Sequence, residues 1–338
     1  MNRYLLILIG FSLMSCQPIN KIEPTVITDQ VPHDSDDPAI WLHPTDLSKS
    51  LIIGTDKDEI DGGVYTFDLS GKKVQNVFQR GMAYPNNVDI KTGFIKGNDT
   101  IDIAVSSERE ANKIRIYKLP ELTFIDQGGF EVFEGEDQSF RRPMGVAFHT
   151  NPNTGDTEVF VSRKQGPTDG YLGHYIISSD SLGILHVDHI RNFGKFSGGS
   201  GEIEAIAVDS NEEIVYYSDE ACCIRAYSTR ADQNNQLFQF GEKEFTEDRE
   251  GIAIYKADGE TKLIISNQQE HAFNIYTIKN LSGVYEQTVY LSTNETDGCD
   301  LTPTPLPGFP NGLFVAMSDD RTFHYYDLKE LLTGNVTE

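Results

Sequence analysis

The chain has 338 residues and a formal charge of −24, which excludes nucleic acid and anionic membrane surfaces as direct partners, because no Lys/Arg-rich run offsets it. Hydrophobic residues at 38% and charged residues at 24%, with 29 Gly and 19 Phe, exclude a disordered chain and suit a turn-rich all-β fold. The cysteines lack the CxxC spacing of a thiolate zinc site.

Residues 1–16 carry Arg3 and then the apolar run of residues 4–13, which is too short to span a bilayer and reads as a secretory signal. Its ending, Leu13-Met14-Ser15-Cys16, resembles a bacterial lipoprotein box. Cleavage there leaves Cys16 at the amino terminus with acyl chains. That predicts an exported protein, lipid-anchored to the cell envelope at the outer membrane or periplasmic face and otherwise secreted. Residues 17–24 form a short tether. Residues 25–31 (TVITDQV) read as a strand without a hairpin partner, and residues 25–338 as one domain.

The rest of the chain is periodic. An apolar segment led by a polar or soft residue recurs at Asp37 (DPAIW), Asn86 (NNVDI), Met144 (MGVAF), Glu204 (EAIAV), Glu250 (EGIAI) and Asp297 (DGCDL), at spacings of 49, 58, 60, 46 and 47. A second register, strands ending in Phe67, Tyr117, Tyr175, Tyr227, Tyr276 and Tyr326, keeps a similar period. Between them lies a strand ending in polar residues, such as LIIGTDK or EIVYYSDE, and after them a weaker fourth, such as KKVQNVFQ. Six such units predict a six-bladed β-propeller with four-stranded blades. The last unit runs out into DLKELLTG without a fourth strand, so residues 25–31 are expected to close it, which removes an exposed edge.

Inner strands line a propeller's channel, so the lead residues form a ring: Asp36 or Asp37, Asn86 or Asn87, Met144, Glu204, Glu250 and Asp297. Two like charges at about 4 Å repel by about 4 kcal/mol at an effective dielectric of 20. Such a ring therefore persists protonated or holding cations, and carboxylates and amides without His or Cys are calcium's ligands. Glu220 and Asp219 end the second strand of the fourth unit and are placed to add to the ring. Lys57, Arg109 and Lys164 end the second strands of the first three units, with Arg141, Arg142 and Arg163 nearby, and this rim of bases beside the acids suits a multiply phosphorylated small molecule. His186 and His189, three apart in a strand, point to opposite faces and form no ligand pair. Cys222, Cys223 and Cys299 read as small buried side chains, with a bond between the adjacent pair as the alternative.

The segment Asp34-Ser35-Asp36-Asp37-Pro38-Ala39-Ile40-Trp41 matches the DxxDDPAxW signature, and Asn86-Asn87-Val88-Asp89-Ile90 the NNxD signature, of the β-propeller phytases. With Glu204, Glu250 and Asp297 in further matching segments, the chain resembles that family over roughly residues 30–325. The resemblance implies a calcium-dependent, 3-phytase-like phosphoric monoester hydrolase. Such an enzyme releases phosphate from phytate, myo-inositol hexakisphosphate, by direct attack of a metal-bound water without a phosphoenzyme. Several Ca2+ ions would be held by Asp36, Asp37, Glu204, Glu220, Glu250 and Asp297. The catalytic set would be Lys57, Arg109, Lys164 and Glu204, and the phosphate-binding set Lys57, Arg109, Lys164 and Arg142. The implied partner is calcium phytate or another inositol phosphate; no nucleic acid is involved, membrane contact is through the Cys16 lipid alone, and the chain is expected to act as a monomer. Two positions depart from the family: Asp58 follows Lys57 where a second lysine is usual, and Met144 stands where a tyrosine is usual. Two rival readings remain: a six-bladed lactonase or gluconolactonase-like hydrolase that also holds calcium, and a non-catalytic, surface-anchored binding propeller.

Overall fold

Alternating apolar positions over runs of four to twelve residues, separated by tight turns, can bury one face only by stacking sheet on sheet. In the computed structural model, which describes residues 20–199, 201–257 and 259–334, they do so as six antiparallel blades around a channel. The predicted signal peptide with Cys16, and the start of the tether, lie outside the described residues. The inner strands are Ser35–Trp41, Pro85–Lys96, Pro143–Thr150, Ile206–Asp209, Arg249–Ala257 and Cys299–Thr302. Within each of the first five blades the strands follow outward in chain order. Blade two ends in two short pieces, Thr123–Phe124 and Phe130–Glu131, both paired with Lys113–Leu119. The aromatic register fills the space between blades, since Phe67, Tyr117, Tyr175, Tyr227, Tyr276 and Tyr326 are all buried.

Blade six is closed by the amino-terminal strand, as the unpaired segment predicts. Val26–Ile27 pairs with Thr322–Asp327, and hydrogen bonds from Thr25 N (2.8 Å), Thr28 N (3.0 Å) and Val31 N (2.9 Å) to the carbonyls of Tyr325, Phe323 and Arg321 extend the contact over residues 25–31. The helix Leu328–Thr333 follows, burying Leu328 and Leu331 and capped by Asp327.

Polar stitches fix each blade to the next at the channel. Ser162, Ser218 and Ser266, one in each second strand of blades three to five, donate to the carbonyls of Ile203, Glu250 and Thr296 at the head of the following blade. Carboxylates do the same lower down: Asp37 accepts from Val88 N (3.0 Å), Asp89 from Phe148 N (2.6 Å) and Asp300 from Ile40 N (2.8 Å). These three acids share a cavity of about 180 Å³ in the channel. Burial there pushes Asp89 up to about 6, Asp300 up to about 7 and Asp37 well above the ordinary carboxylate range.

The cysteines depart from the sequence reading. Cys222 and Cys223 are joined as a vicinal disulfide with Cα atoms 3.8 Å apart, in a turn that Cys222 N closes onto the Asp219 carbonyl (2.8 Å). Cys222 is therefore a partly exposed turn residue, while Cys299 is free and buried as expected.

Candidate functional site

Antiparallel strands place the heads of the inner strands and the hairpins after the second strands on the same face of the disc. In blades one, two, three and five the ladder between these strands shifts register at the head, between Ser35 and Pro38, Pro85 and Val88, Pro143 and Val146, and Arg249 and Ile252. The two residues inside each shift are Asp36-Asp37, Asn86-Asn87, Met144-Gly145 and Glu250-Gly251. Bulges re-aim side chains; here they turn the first residue of each pair towards the mouth. In blades four and six the lead residues Glu204 and Asp297 lie just before the strand.

The result is a mouth cavity of about 370 Å³ into which Asn86, Met144, Glu204, Glu250 and Asp297 project from the strand heads and Lys57, Arg109, Lys164, Glu220 and Gln268 from the hairpins. Asp36 sits beneath it, fully buried, accepting from Lys57 Nζ (3.0 Å) and Asn86 Nδ2 (3.1 Å). The structure thus brings together three of the four predicted phosphate-binding bases, Lys57, Arg109 and Lys164, and five of the six predicted metal ligands, Asp36, Glu204, Glu220, Glu250 and Asp297.

Other candidates lie apart. Asp37, the second residue of the bulge, points into the lower channel and is committed to Val88 N. Asp219 accepts from Arg225 and Ser197. Arg163 is buried against Glu136 and the carbonyls of Phe140, Gly170 and Tyr171, and Arg141 pairs with Glu131. Arg142 reaches only Glu110, at 3.3 Å. His186 and His189 face separate neighbours: His186 Nε2 lies 3.9 Å from Asp180, and His189 Nε2 meets Asn192 Oδ1 at 2.8 Å. Asp58 accepts from Ile60 N and Asp61 N, capping the turn where a second lysine would stand. Four residues of the mouth were not among the sequence candidates: Tyr84, Glu202, Asp248 and Gln268. Only Gln268, at the polar end of a second strand, had a sequence signal; the others sit in links between blades.

The electrostatics are those of acids crowded out of water. Burial, then the charges of Asp36 and Asp297, holds Glu204 well above the usual carboxylate range. Burial, then Glu220 and Glu204, does the same to Glu250. Glu220 is pushed up to about 8 by burial and by Glu202, and Asp297 up to about 7, chiefly by burial. Lys57 is the internal counter-ion: burial opposes its charge, but Asp36, Asp297 and Glu204 hold its proton tightly. Lys164 pairs with Glu202.

The donor set fits a hard dication. Ligand oxygens of Glu202, Glu204 and Glu220 lie within 4.8 Å of one another. Asn86 Oδ1, Glu202 Oε2, Glu220 Oε1 and Glu250 Oε2 are buried with no hydrogen-bond partner among the described residues, a cost of about 1–3 kcal/mol each that a cation would relieve. The group of Asp219, Cys222 and Cys223 offers no comparable site, since its sulfurs are bonded to each other.

Fold and mouth together define a six-bladed propeller whose channel mouth gathers carboxylates and bases in one cavity. Over residues 12–325 the sequence matches the phytase family, and the chain belongs to it; membership makes it a phosphatase-type hydrolase. A relative, the 3-phytase of Bacillus subtilis (strain 168), is 25% identical over 304 residues, covering 85% of this chain and 75% of the relative.

Proposed function

We propose that the protein is a calcium-dependent, 3-phytase-like enzyme that removes phosphate from phytate. What carries this reading is the convergence of Lys57, Arg109 and Lys164 with the oxygen donors Glu202, Glu204, Glu220, Glu250 and Asp297 in one cavity. Calcium bound at the mouth would supply Lewis-acid charge and a water activated for attack on phosphorus. Asn86, Glu202, Glu204, Glu220 and Glu250 would hold it through their unpartnered or crowded oxygens. Arg109 would present its guanidinium to a phosphate, and Lys57 and Lys164, which pair with Asp36, Asp297 and Glu202 in this structure, would offer their ammonium groups to phosphate oxygens. Phytate at about −1.5 to −2 per phosphate carries roughly −9 to −12. It approaches a protein of charge −24 only where cations screen both. A lactonase needs no such rim of bases.

The test is phosphate release from calcium phytate by a chain beginning at Gln17, with and without chelator. Arg109→Ala and Lys164→Ala are each expected to lower kcat/KM by about 10- to 100-fold, the value of a lost charge-assisted hydrogen bond. Lactone turnover, or calcium stabilisation without phosphate release, would replace the reading with one of its two rivals.

A further inference from the structure

Arg109 stands out among the arginines. Each of the others among the described residues places a terminal nitrogen on an oxygen of the protein. Among the described residues Arg109 meets a protein oxygen only through Nε, which donates to Glu110 Oε1 at 3.1 Å, while its Nη1 donates weakly to the thioether of Met144 at 3.9 Å. The outer edge of the fork is therefore open to the cavity, although the side chain is only 12% exposed. An unsupported guanidinium on a flexible stem would instead swing onto one of the carboxylates that line the same mouth.

Tyr84 prevents that. Its ring lies under the guanidinium, with Arg109 Cζ 3.3 Å from the ring centroid. The ring is held there by an uncommon backbone: Tyr84 has φ of +60°, a left-handed conformation that bulky residues rarely adopt. Two backbone bonds lock it, from Tyr84 N to the Asp58 carbonyl (2.8 Å) and from Arg109 N to the Tyr84 carbonyl (3.0 Å). Glu110 braces the third side, since it also reaches Arg142 at 3.3 Å.

We propose, resting on the phosphatase reading above, that Tyr84 is a positioning residue: its ring face fixes the Arg109 fork in the plane that receives a phosphate bidentately. Local backbone strain of this kind is retained where it pre-organises a site. The ring face does the work, since the hydroxyl has no hydrogen-bond partner among the described residues.

The experiment compares Tyr84→Leu, Tyr84→Phe and Arg109→Ala in the mature protein, measuring KM and kcat on calcium phytate, inhibition by inorganic phosphate, calcium affinity and Tm. Tyr84→Leu is expected to raise KM and weaken phosphate inhibition by about three- to tenfold, the range of a partly buried cation–π contact, with calcium affinity unchanged. Tyr84→Phe should restore both values. The proposal is overturned if Tyr84→Leu leaves KM and phosphate inhibition alone, if Tyr84→Phe behaves like Tyr84→Leu, or if calcium affinity and Tm fall in step with KM, which marks a merely structural role. If Arg109→Ala itself leaves phosphate inhibition unchanged, the functional reading fails first.

Discussion

Gly145 lacks a side chain because the neighbouring blade occupies its place: a Cβ there would lie 1.8 Å from the Glu204 carbonyl oxygen. Gly251 repeats the arrangement one position after Glu250, with its N–H donating to the Asp297 carbonyl at 2.6 Å and a Cβ meeting that oxygen at 2.8 Å. The acid residues converge because backbone, not side chain, separates them. Gly145→Ala must push the Glu204 backbone outwards. It should cost about 1–3 kcal/mol of stability, as overpacking does, and weaken calcium binding, which thermal unfolding with and without calcium would register. Unchanged calcium stabilisation in a destabilised variant would show that the close approach serves packing alone. The lead residues were legible in the sequence because a period of about fifty marks them whatever their chemistry. Glu202 and Tyr84 lie in links that have no period, so nothing in the pattern separated them from ordinary loop residues. Asp36 and Asp37 were indistinguishable as neighbours; the bulge, which the sequence does not announce, sends one to the mouth and the other down the channel.

At the scale of the strand and the blade, the closing segment was readable because one strand lacked a partner at each end of the chain. What pattern could not show was a polar row crossing blade three. His149, Glu158, His174 and Arg191 come one from each of its four strands. His174 Nε2 meets Glu158 Oε2 at 2.7 Å, Arg191 Nε meets His174 Nδ1 at 3.4 Å, and Asn151 donates to Glu158. The row reaches blade four through His149 to Ser210 (2.9 Å) and through Arg191 to the carbonyls of Ser228 and Gln233. Burial lowers the pKa of both histidines despite Glu158, and Arg191 and His189 add to the effect at His174. Both rings are thus neutral in the folded protein at pH 7. Below about 6.5 the unfolded chain binds protons that the folded one refuses, so stability is full above that pH and falls as pH drops towards the folded values. Glu158 adds a second loss. Burial opposes its ionisation, but bonds from His174 and Asn151 hold its pKa below 4.5, so its contribution disappears as pH falls through that lower value. His174→Gln, which cannot take a proton, should show a shallower fall in Tm between pH 7.5 and 5.5 than the parent. Superimposable profiles would remove the row from the account.

The whole molecule concentrates its problem at one opening. A net charge of −24 opposes compactness everywhere, yet the acids pushed furthest from their ordinary range are the buried ones of the channel: Glu204, Glu220, Glu250 and Asp297 at the mouth, Asp37 and Asp300 below. Diffuse surface repulsion yields to any salt, since screening at 0.15 M acts over about 8 Å. The crowded oxygens at the mouth respond only to an ion that enters and is coordinated, and a ligand present at 100 times its Kd stabilises the fold by about 2.7 kcal/mol. Calcium and sodium should therefore separate. Raising NaCl to match the ionic strength of a millimolar calcium solution should shift Tm little, whereas calcium itself should raise it by on the order of 5 °C, the scale that 2.7 kcal/mol implies for a domain of this size. Glu204→Gln combined with Glu220→Gln should abolish most of the calcium increment while leaving the response to sodium intact. A calcium increment that survives the double substitution would move the stabilising ion away from the mouth, and with it the account of how phosphate is drawn there.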